Sequence, residues 1–156
     1  MYIRKEVVTI KQYESTGLGK VILVELSRGE NIVGSILEAC KNAGIKNAYI
    51  ASSVGSVQHL KYHRPMTLAP ITEDEILTYD EPLELGSISG TIINGQPHLH
   101  ISAASPEGVR IGHLEPDTEV LYLVEVTIVE IKGLELKRMV TKAMVMKLFP
   151  LDAPEE

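Results

Sequence analysis

Three histidines fall at a spacing that could form one metal site. His98 and His100 flank a single leucine, and His113 follows a short distance later. Neutral imidazole nitrogens bind zinc and other divalent transition metals, and three of them plus a water form a known open zinc site. These residues therefore predict a metal centre, provided that the backbone brings the three rings together.

A tight turn at Asn94-Gly95 would place the first two rings. Both central residues of a type I′ turn need positive φ, and this dipeptide is the strongest short hairpin signal in the chain. A two-residue loop there pairs Ile93 with Gln96. Because side chains alternate between the faces of a strand, His98 and His100 then share a polar face with neighbouring Ser and Thr hydroxyls.

A second turn, at Ser105-Pro106-Glu107-Gly108, would add the third ring. With these four residues as the loop, His100 pairs with His113, and directly opposed side chains have Cβ atoms about 5 Å apart. A one-residue slip, or a bulge near Gly112, would instead turn His113 to the other face. The alternative is that the histidines lie on a solvated or subunit-contacting face and bind nothing.

The remaining histidines and the cysteine have simpler interpretations. His59 and His63 lie near a loop, and we expect them at the surface. Cys40 falls on the apolar stripe of a predicted helix, so we expect it in the core. As the single cysteine of the chain, it cannot form an internal disulfide.

Two glutamates could support a metal site. Glu84 could act as a general base beside a metal-bound water. Strand alternation puts Glu84 on the other face of the sheet from the histidines, unless a bulge at Gly86 or Gly90 turns it to their face. Glu125 interrupts an apolar strand and needs a partner if it is buried. It could be a fourth ligand, a supporting carboxylate or the partner of Arg138 or Arg110, and we prefer a structural role.

The secondary-structure pattern predicts one amphipathic helix among many strands. Apolar residues at helical spacing indicate a helix from Glu30 to Ala43, and Gly44 supplies a stop. This pattern is typical of an α+β domain with a largely antiparallel sheet and one main flanking helix. The strand from Glu119 to Ile131 is apolar on both faces, so we expect it to be central and covered on both sides. The other predicted strands are Tyr2–Ile10, Lys20–Leu26, Ala48–Ser53, Val57–Tyr62, Leu83–Ile93, Pro97–Ala104, Val109–Leu114 and Leu134–Leu148, with a hairpin turn at Gly17-Leu18-Gly19 and a long loop from His63 to Asp74.

Length and composition favour one cytoplasmic domain. The chain has 156 residues, and we expect a single domain over residues 1–149 followed by a polar, acidic tail over residues 150–156. The N-terminus lacks the apolar stretch of a signal peptide, and no apolar run reaches the roughly 18 residues of a membrane helix. The formal net charge of −6 disfavours autonomous binding to the phosphate backbone of DNA.

Several segments resemble a known family. The most specific part runs from Gly90 to Leu114 and includes Pro97-His98-Leu99-His100-Ile101, Gly108 and Gly112-His113-Leu114. Further similar segments are Gly29-Glu30, Ala51-Ser52-Ser53-Val54-Gly55-Ser56, Leu83-Glu84-Leu85, Ser87-Ile88-Ser89-Gly90, Glu125-Val126 and Arg138. Together they resemble the PPC domain (plants-and-prokaryotes conserved domain), which stands beside AT-hooks in plant nuclear proteins and alone in bacteria and archaea.

This resemblance implies an α+β fold, usually a homotrimer, in which His98, His100 and His113 occupy positions that bind metal in prokaryotic members. Stand-alone members are often described as DNA-binding. The chain departs from the plant members in two ways: it has no Arg-Gly-Arg-Pro hook, and Asp80-Glu81-Pro82 precedes Leu83-Glu84 where they carry a Gly-Arg-Phe-Glu segment.

Three functions are therefore considered. The first is a homo-oligomeric module that binds zinc or another divalent transition metal through the three histidines. The second is a metal-dependent enzyme that uses a zinc-activated water. The third is a DNA-associated regulatory protein, which the acidic charge and the absence of a hook disfavour.

Overall fold

The computed structural model describes residues 10–154 of the chain. Within that range an antiparallel sheet packs against a single helix, so the predicted α+β class is confirmed. The elements are β1 (Gly17–Ser27), α1 (Ile32–Ala43), β2 (Ala48–Pro65), β3 (Asp74–Ile93), β4 (Gln96–Ser105), β5 (Gly108–Leu114), β6 (Glu119–Lys132), β7 (Leu136–Val140) and β8 (Met146–Pro150).

The main sheet folds back on itself at one side. Its six strands have the order β1-β6-β2-β3-β4-β5, and the last part of β2 also pairs with β5. This closing contact pairs Tyr62 with Leu114 and His63 with His113. Strands β7 and β8 form a separate two-stranded sheet. This closure matters for the site because it brings His63 of β2 beside His113, the predicted ligand on β5.

Helix α1 covers one face of the sheet. Its residues Ile32, Val33, Ile36 and Cys40 are buried at helical spacing, which confirms Cys40 as a core residue. The helix begins two residues later than predicted because Asn31 is the N-cap, and its side chain accepts a hydrogen bond from the Gly34 N–H. It ends as predicted, since a left-handed residue, Gly44, caps it with φ of 71°. No helix in residues 10–154 is long and apolar enough to cross a bilayer.

Strand β6 is central, as predicted, but its inner face is covered whereas its outer face is covered only in part within the described residues. It lies between β1 and β2, and Val124, Val126 and Ile128 are fully buried on its inner face. On the outer face Glu125 is half-buried and Leu123 is exposed. The outer face is therefore open near Leu123, whereas Val129, farther along the same face, is buried.

Of two sequence predictions near the N-terminus, one is wrong and the other falls almost entirely outside the described residues. Gly17-Leu18-Gly19 is not a hairpin turn, because β1 already begins at Gly17 and pairs with Lys132 of β6. A register shift after Leu18 accommodates the glycine-rich start of the strand. The strand predicted over Tyr2–Ile10 lies outside the described residues except for Ile10, which is not in a strand.

Strand β3 is longer than predicted. The sequence suggested a loop as far as Asp74 and a strand from Leu83, whereas the structure has one strand from Asp74. Pro82 obscured this continuity because proline cannot donate to a ladder and normally interrupts a strand pattern. Here the pairing with β2 shifts register between Val57 and His59, opposite the proline, so the strand continues past it. Strand β2 is continuous, so Val57–Tyr62 continues the strand from Ala48–Ser53, one of the two arrangements that the sequence permits.

The segment predicted as one strand over Leu134–Leu148 is a hairpin. In strands β7 and β8, Leu136 pairs with Pro150 at one end and Val140 pairs with Met146 at the other. The Thr141 N–H donates to the Val145 carbonyl across the turn. The turn has no Gly or Pro to reveal it; Met144 itself adopts φ of 59°. Pro150, expected to begin a free tail, closes β8 instead.

Close packing at Gly112 permits the contact between β2 and β5. A Cβ at this position would overlap the Tyr62 ring and the His63 carbonyl oxygen. We expect Gly112→Ala to lower the free energy of unfolding by about 1–3 kcal/mol, because the strands must separate to relieve the overlap. Urea denaturation measures this. The control Val109→Thr, at an exposed position of the same strand, should stay within about 0.5 kcal/mol of wild type; an equal effect of both changes would contradict the account.

Candidate metal centre

The first hairpin forms in the predicted register. Asn94 and Gly95 have φ of 49° and 75°, and Ile93 pairs with Gln96. Thr91 therefore faces His98, and Ser89 faces His100. This polar face lies opposite the buried residues Ile88, Leu99 and Ile101, as the alternation of the sequence indicated.

The second hairpin also has the predicted pairing. His100 lies directly opposite His113. The loop is tighter than the four residues expected, because Ser105 and Gly108 still pair and only Pro106-Glu107 turns the chain. Thus β4 and β5 together bring all three predicted ligands to one face.

The three imidazoles are close enough to share an ion. Ring centroids are 5.3 Å apart for His98 and His100, 5.1 Å for His98 and His113, and 5.5 Å for His100 and His113. One nitrogen from each ring lies within 4.8 Å of the others. Ligands of tetrahedral zinc are about 3.3 Å apart at bond lengths of about 2.0–2.1 Å, so small side-chain rotations would complete the coordination. The donor set fits zinc or a similar divalent transition metal.

The surroundings keep two of these rings neutral. Burial, with the nearby His63 and His98, lowers the pKa of His113 to about 4, although Glu115 opposes this effect. Burial also lowers the pKa of His98, and the positive charge of Arg138 adds to that. Since only the neutral imidazole has a free lone pair, both rings are ready to ligate a metal at neutral pH.

Arg138 occupies a fixed position beside the site. Only 8% of this residue is exposed, and its Nη2 donates to the Thr91 hydroxyl at 2.7 Å, directly across the hairpin from His98. Its Nε is buried without a hydrogen-bond partner among the described residues. The ion pair considered between Arg138 and Glu125 is therefore not formed.

Unlike Arg138, the other arginine and the two glutamates lie away from the three rings. Arg110 donates to Glu81 at 3.3 Å, so it too does not pair with Glu125. A bulge at Gly86 turns Glu84 to the histidine face, the exception that the sequence allowed. Glu84 pairs with Ala104, four residues along β4 from His100, and neither glutamate belongs to a cluster of metal-ligating groups in residues 10–154.

His63 and Glu115 are neighbours of the site that the sequence did not reveal. His63 lies near the end of β2 and is half-buried rather than at the surface, and its ring stacks on His113 at 4.4 Å between centroids. The Glu115 carboxylate forms a hydrogen bond with His63 Nδ1. His59, also expected at the surface, is half-buried in β2 and pairs with Asp80. Only the long-range pairing of β2 with β5 reveals the role of His63, and no local pattern signals it.

A pocket of about 490 Å³ lies over the imidazoles. Its polar floor includes the three histidines and His63. The opposite wall comes from the β7–β8 hairpin and is apolar, with Val140, Met144, Val145 and Met146. A volume of this size is typical of small-ligand sites, so a molecule could reach an open coordination position.

Solved structures with this fold come from archaea and bacteria. A plant- and prokaryote-conserved (PPC) protein from Pyrococcus horikoshii is 27% identical, with a TM-score of 0.70 over 83% of this chain and 90% of that one. A metal-containing protein from Archaeoglobus fulgidus is 26% identical, with a TM-score of 0.71 over 86% and 95%. A Bacteroides thetaiotaomicron structure named as a candidate DNA-binding protein shares the fold at 19% identity, with a TM-score of 0.70 over 90% and 99%.

A curated relative and a family model complete the comparison. The chain is 26% identical over 116 residues to the bifunctional protein GlmU of Synechococcus sp. (strain JA-3-3Ab); the match covers 74% of this chain and spans only 18% of that protein. The model of the Plants and Prokaryotes Conserved (PCC) domain, called PPC above, matches residues 13–132. This chain belongs to the PCC domain family.

Proposed function

We propose that this protein is a homo-oligomeric metal-binding module that holds zinc, or another divalent transition metal, through His98, His100 and His113. The observation that carries the proposal is the convergence of three imidazole nitrogens within 4.8 Å of one another. The lowered pKa values of His98 and His113 support it, because these rings need not lose a proton before binding.

The donor set favours a transition metal over magnesium or calcium. Those two cations prefer oxygen ligands, whereas neutral imidazoles suit zinc, copper, iron and nickel. The Archaeoglobus fulgidus structure, 26% identical, is of a metal-containing protein, which supports metal binding by this chain without indicating which metal. The hydroxyls of Ser89 and Thr91, opposite His100 and His98, could orient the ligating rings.

Zinc titration of chelator-treated protein tests the proposal. We expect one ion per chain, with affinity reduced about 10-fold or more by His98→Ala and about 100-fold or more by His113→Ala, since loss even of an outer partner costs about 10–100-fold. His59→Ala is the matched control, because His59 is likewise a half-buried strand histidine, but it lies in β2 and pairs with Asp80 away from the three rings. Unchanged affinity in His113→Ala would refute the site.

The oligomeric part of the proposal rests on apolar residues that are exposed on the outer face of β1 and β2. Val21 and Leu23 of β1 are 65% and 69% exposed, and Val54 of β2 is 55% exposed on the same face. Leu23 pairs with Thr127 and Val54 pairs with Glu125, so β6 lies between the exposed side chains of β1 and that of β2. Several exposed aliphatic side chains on one face of a sheet favour an interaction site there, and the family resemblance favours a homotrimer.

Replacement of one residue in this surface should dissociate the trimer. We expect Leu23→Glu to reduce the mass measured by light scattering from three chains to one, because a buried carboxylate would have no partner. Leu68→Glu, in the fully exposed loop between β2 and β3, should leave the mass unchanged. A wild-type protein that is monomeric at micromolar concentration would contradict the proposal.

A metal-dependent enzyme is the second candidate function, and the pocket over the imidazoles favours it. Three protein ligands leave a fourth position for water, as catalytic zinc sites do. The apolar wall from Val140 to Met146 would face a substrate held at that position. Turnover that depends on the metal would separate this function from a purely structural metal site.

DNA association is the least supported function. The candidate DNA-binding neighbour from Bacteroides is similar in fold at 19% identity, and the net charge of this chain is −6. We expect fluorescence anisotropy with duplex DNA at physiological salt to show no binding, or weak binding that falls steeply as salt rises. Sub-micromolar affinity under those conditions would overturn this expectation.

A further inference from the structure

We propose that the same pocket contains a second metal position, formed by His63, His113 and Glu115. Nitrogens of the two rings and a carboxylate oxygen of Glu115 lie within 4.8 Å of one another, as do the donors of the three-histidine site. His113 belongs to both groups. An ion can therefore bind either to three imidazoles or to two imidazoles and a carboxylate.

The closure of the sheet holds these side chains together. His63 and His113 are directly opposed across β2 and β5, and their rings are stacked at 4.4 Å with an angle of 22° between planes. The stacking places the nitrogen-bearing edges of both rings beside the Glu115 carboxylate. The His63 and Glu115 side chains are 26% and 23% exposed, so the position is partly screened yet open to an ion from solvent.

Backbone contacts fix Glu115 at the end of β5. Its N–H donates to the Lys61 carbonyl at 3.0 Å. The hydroxyl of Thr118, a fully buried residue, lies 3.3 Å from the Glu115 carbonyl oxygen and 3.1 Å from that of Lys61. The carboxylate thus extends from a rigid corner rather than from a free loop, and little ordering entropy is lost when it binds an ion.

The chemistry of this group suits zinc. Two histidines and one glutamate are a common ligand set of catalytic zinc. His63 Nδ1 and the Glu115 carboxylate already share a hydrogen bond, so their lone pairs point to one place where a metal ion can replace the proton. Asp74 lies 3.9 Å from the other nitrogen of His63, the side from which carboxylates orient ligating histidines.

Sharing His113 makes the two positions alternatives for one ion. Removal of His98 and His100 destroys the three-histidine site but leaves all three residues of the second position. The double variant His98→Ala/His100→Ala therefore tests the second position by itself. We expect it to bind one zinc or cobalt ion per chain, more weakly than wild type, with a cobalt absorption spectrum different from that of wild type.

Further changes in the double variant identify the ligands. Adding His63→Ala, or the nearly isosteric Glu115→Gln, should weaken cobalt and zinc binding about 10-fold or more. Adding His59→Ala should leave it unchanged. Circular dichroism and thermal unfolding confirm that each variant folds, and Glu115→Gln retains the size and a hydrogen-bonding capacity of the carboxylate if His63→Ala does not fold.

The outcomes for the two sites are distinguishable. If wild type binds metal and the double variant binds none, the second position is refuted and the three-histidine site stands. The second position would also be refuted if the double variant binds metal and neither His63→Ala nor Glu115→Gln changes its affinity. If the double variant binds as tightly as wild type and loses metal with Glu115→Gln, the second position is supported and the three-histidine proposal fails.

Discussion

The antiparallel register that runs from β3 through β4 and β5 back to β2 is the constraint on which the site depends. Side chains alternate between two faces of a strand, so a slip of one residue between β4 and β5 would turn His113 away from His98 and His100. Two tight turns set this register, and the pairing of His63 with His113 closes it. Gly112 makes the closure possible, because a larger residue would collide with β2.

The same register divides the domain into a core and a site. The inner face of the sheet packs on α1 with aliphatic residues, whereas the outer face of β3, β4 and β5 carries the imidazoles and hydroxyls of the site. Partial burial and the charge of Arg138 disfavour protonation of His98, and burial with neighbouring histidines does so for His113. The protein thereby stabilises the ionisation state that a metal requires, and packing of the core maintains the ring positions.

Local features were predictable from the sequence, and long-range ones were not. The dipeptide Asn94-Gly95 and the alternation around it were sufficient to predict the pairing of β3 with β4, because the turn and its strands are adjacent in the chain. The contact between His63 and His113 joins strands far apart in sequence, so neither His63 nor Glu115 could be recognised as part of the site. The β7–β8 hairpin was missed because its turn lacks Gly and Pro.

The metal-binding proposal accounts for features that a purely structural domain would not need, namely three converging imidazoles under a pocket and a buried arginine beside them. X-ray absorption at the zinc edge of zinc-loaded wild-type protein tests this claim most directly. The account predicts a first shell with imidazole scattering from three histidine nitrogens at about 2.0–2.1 Å. A shell of oxygen ligands without imidazole scattering would contradict it.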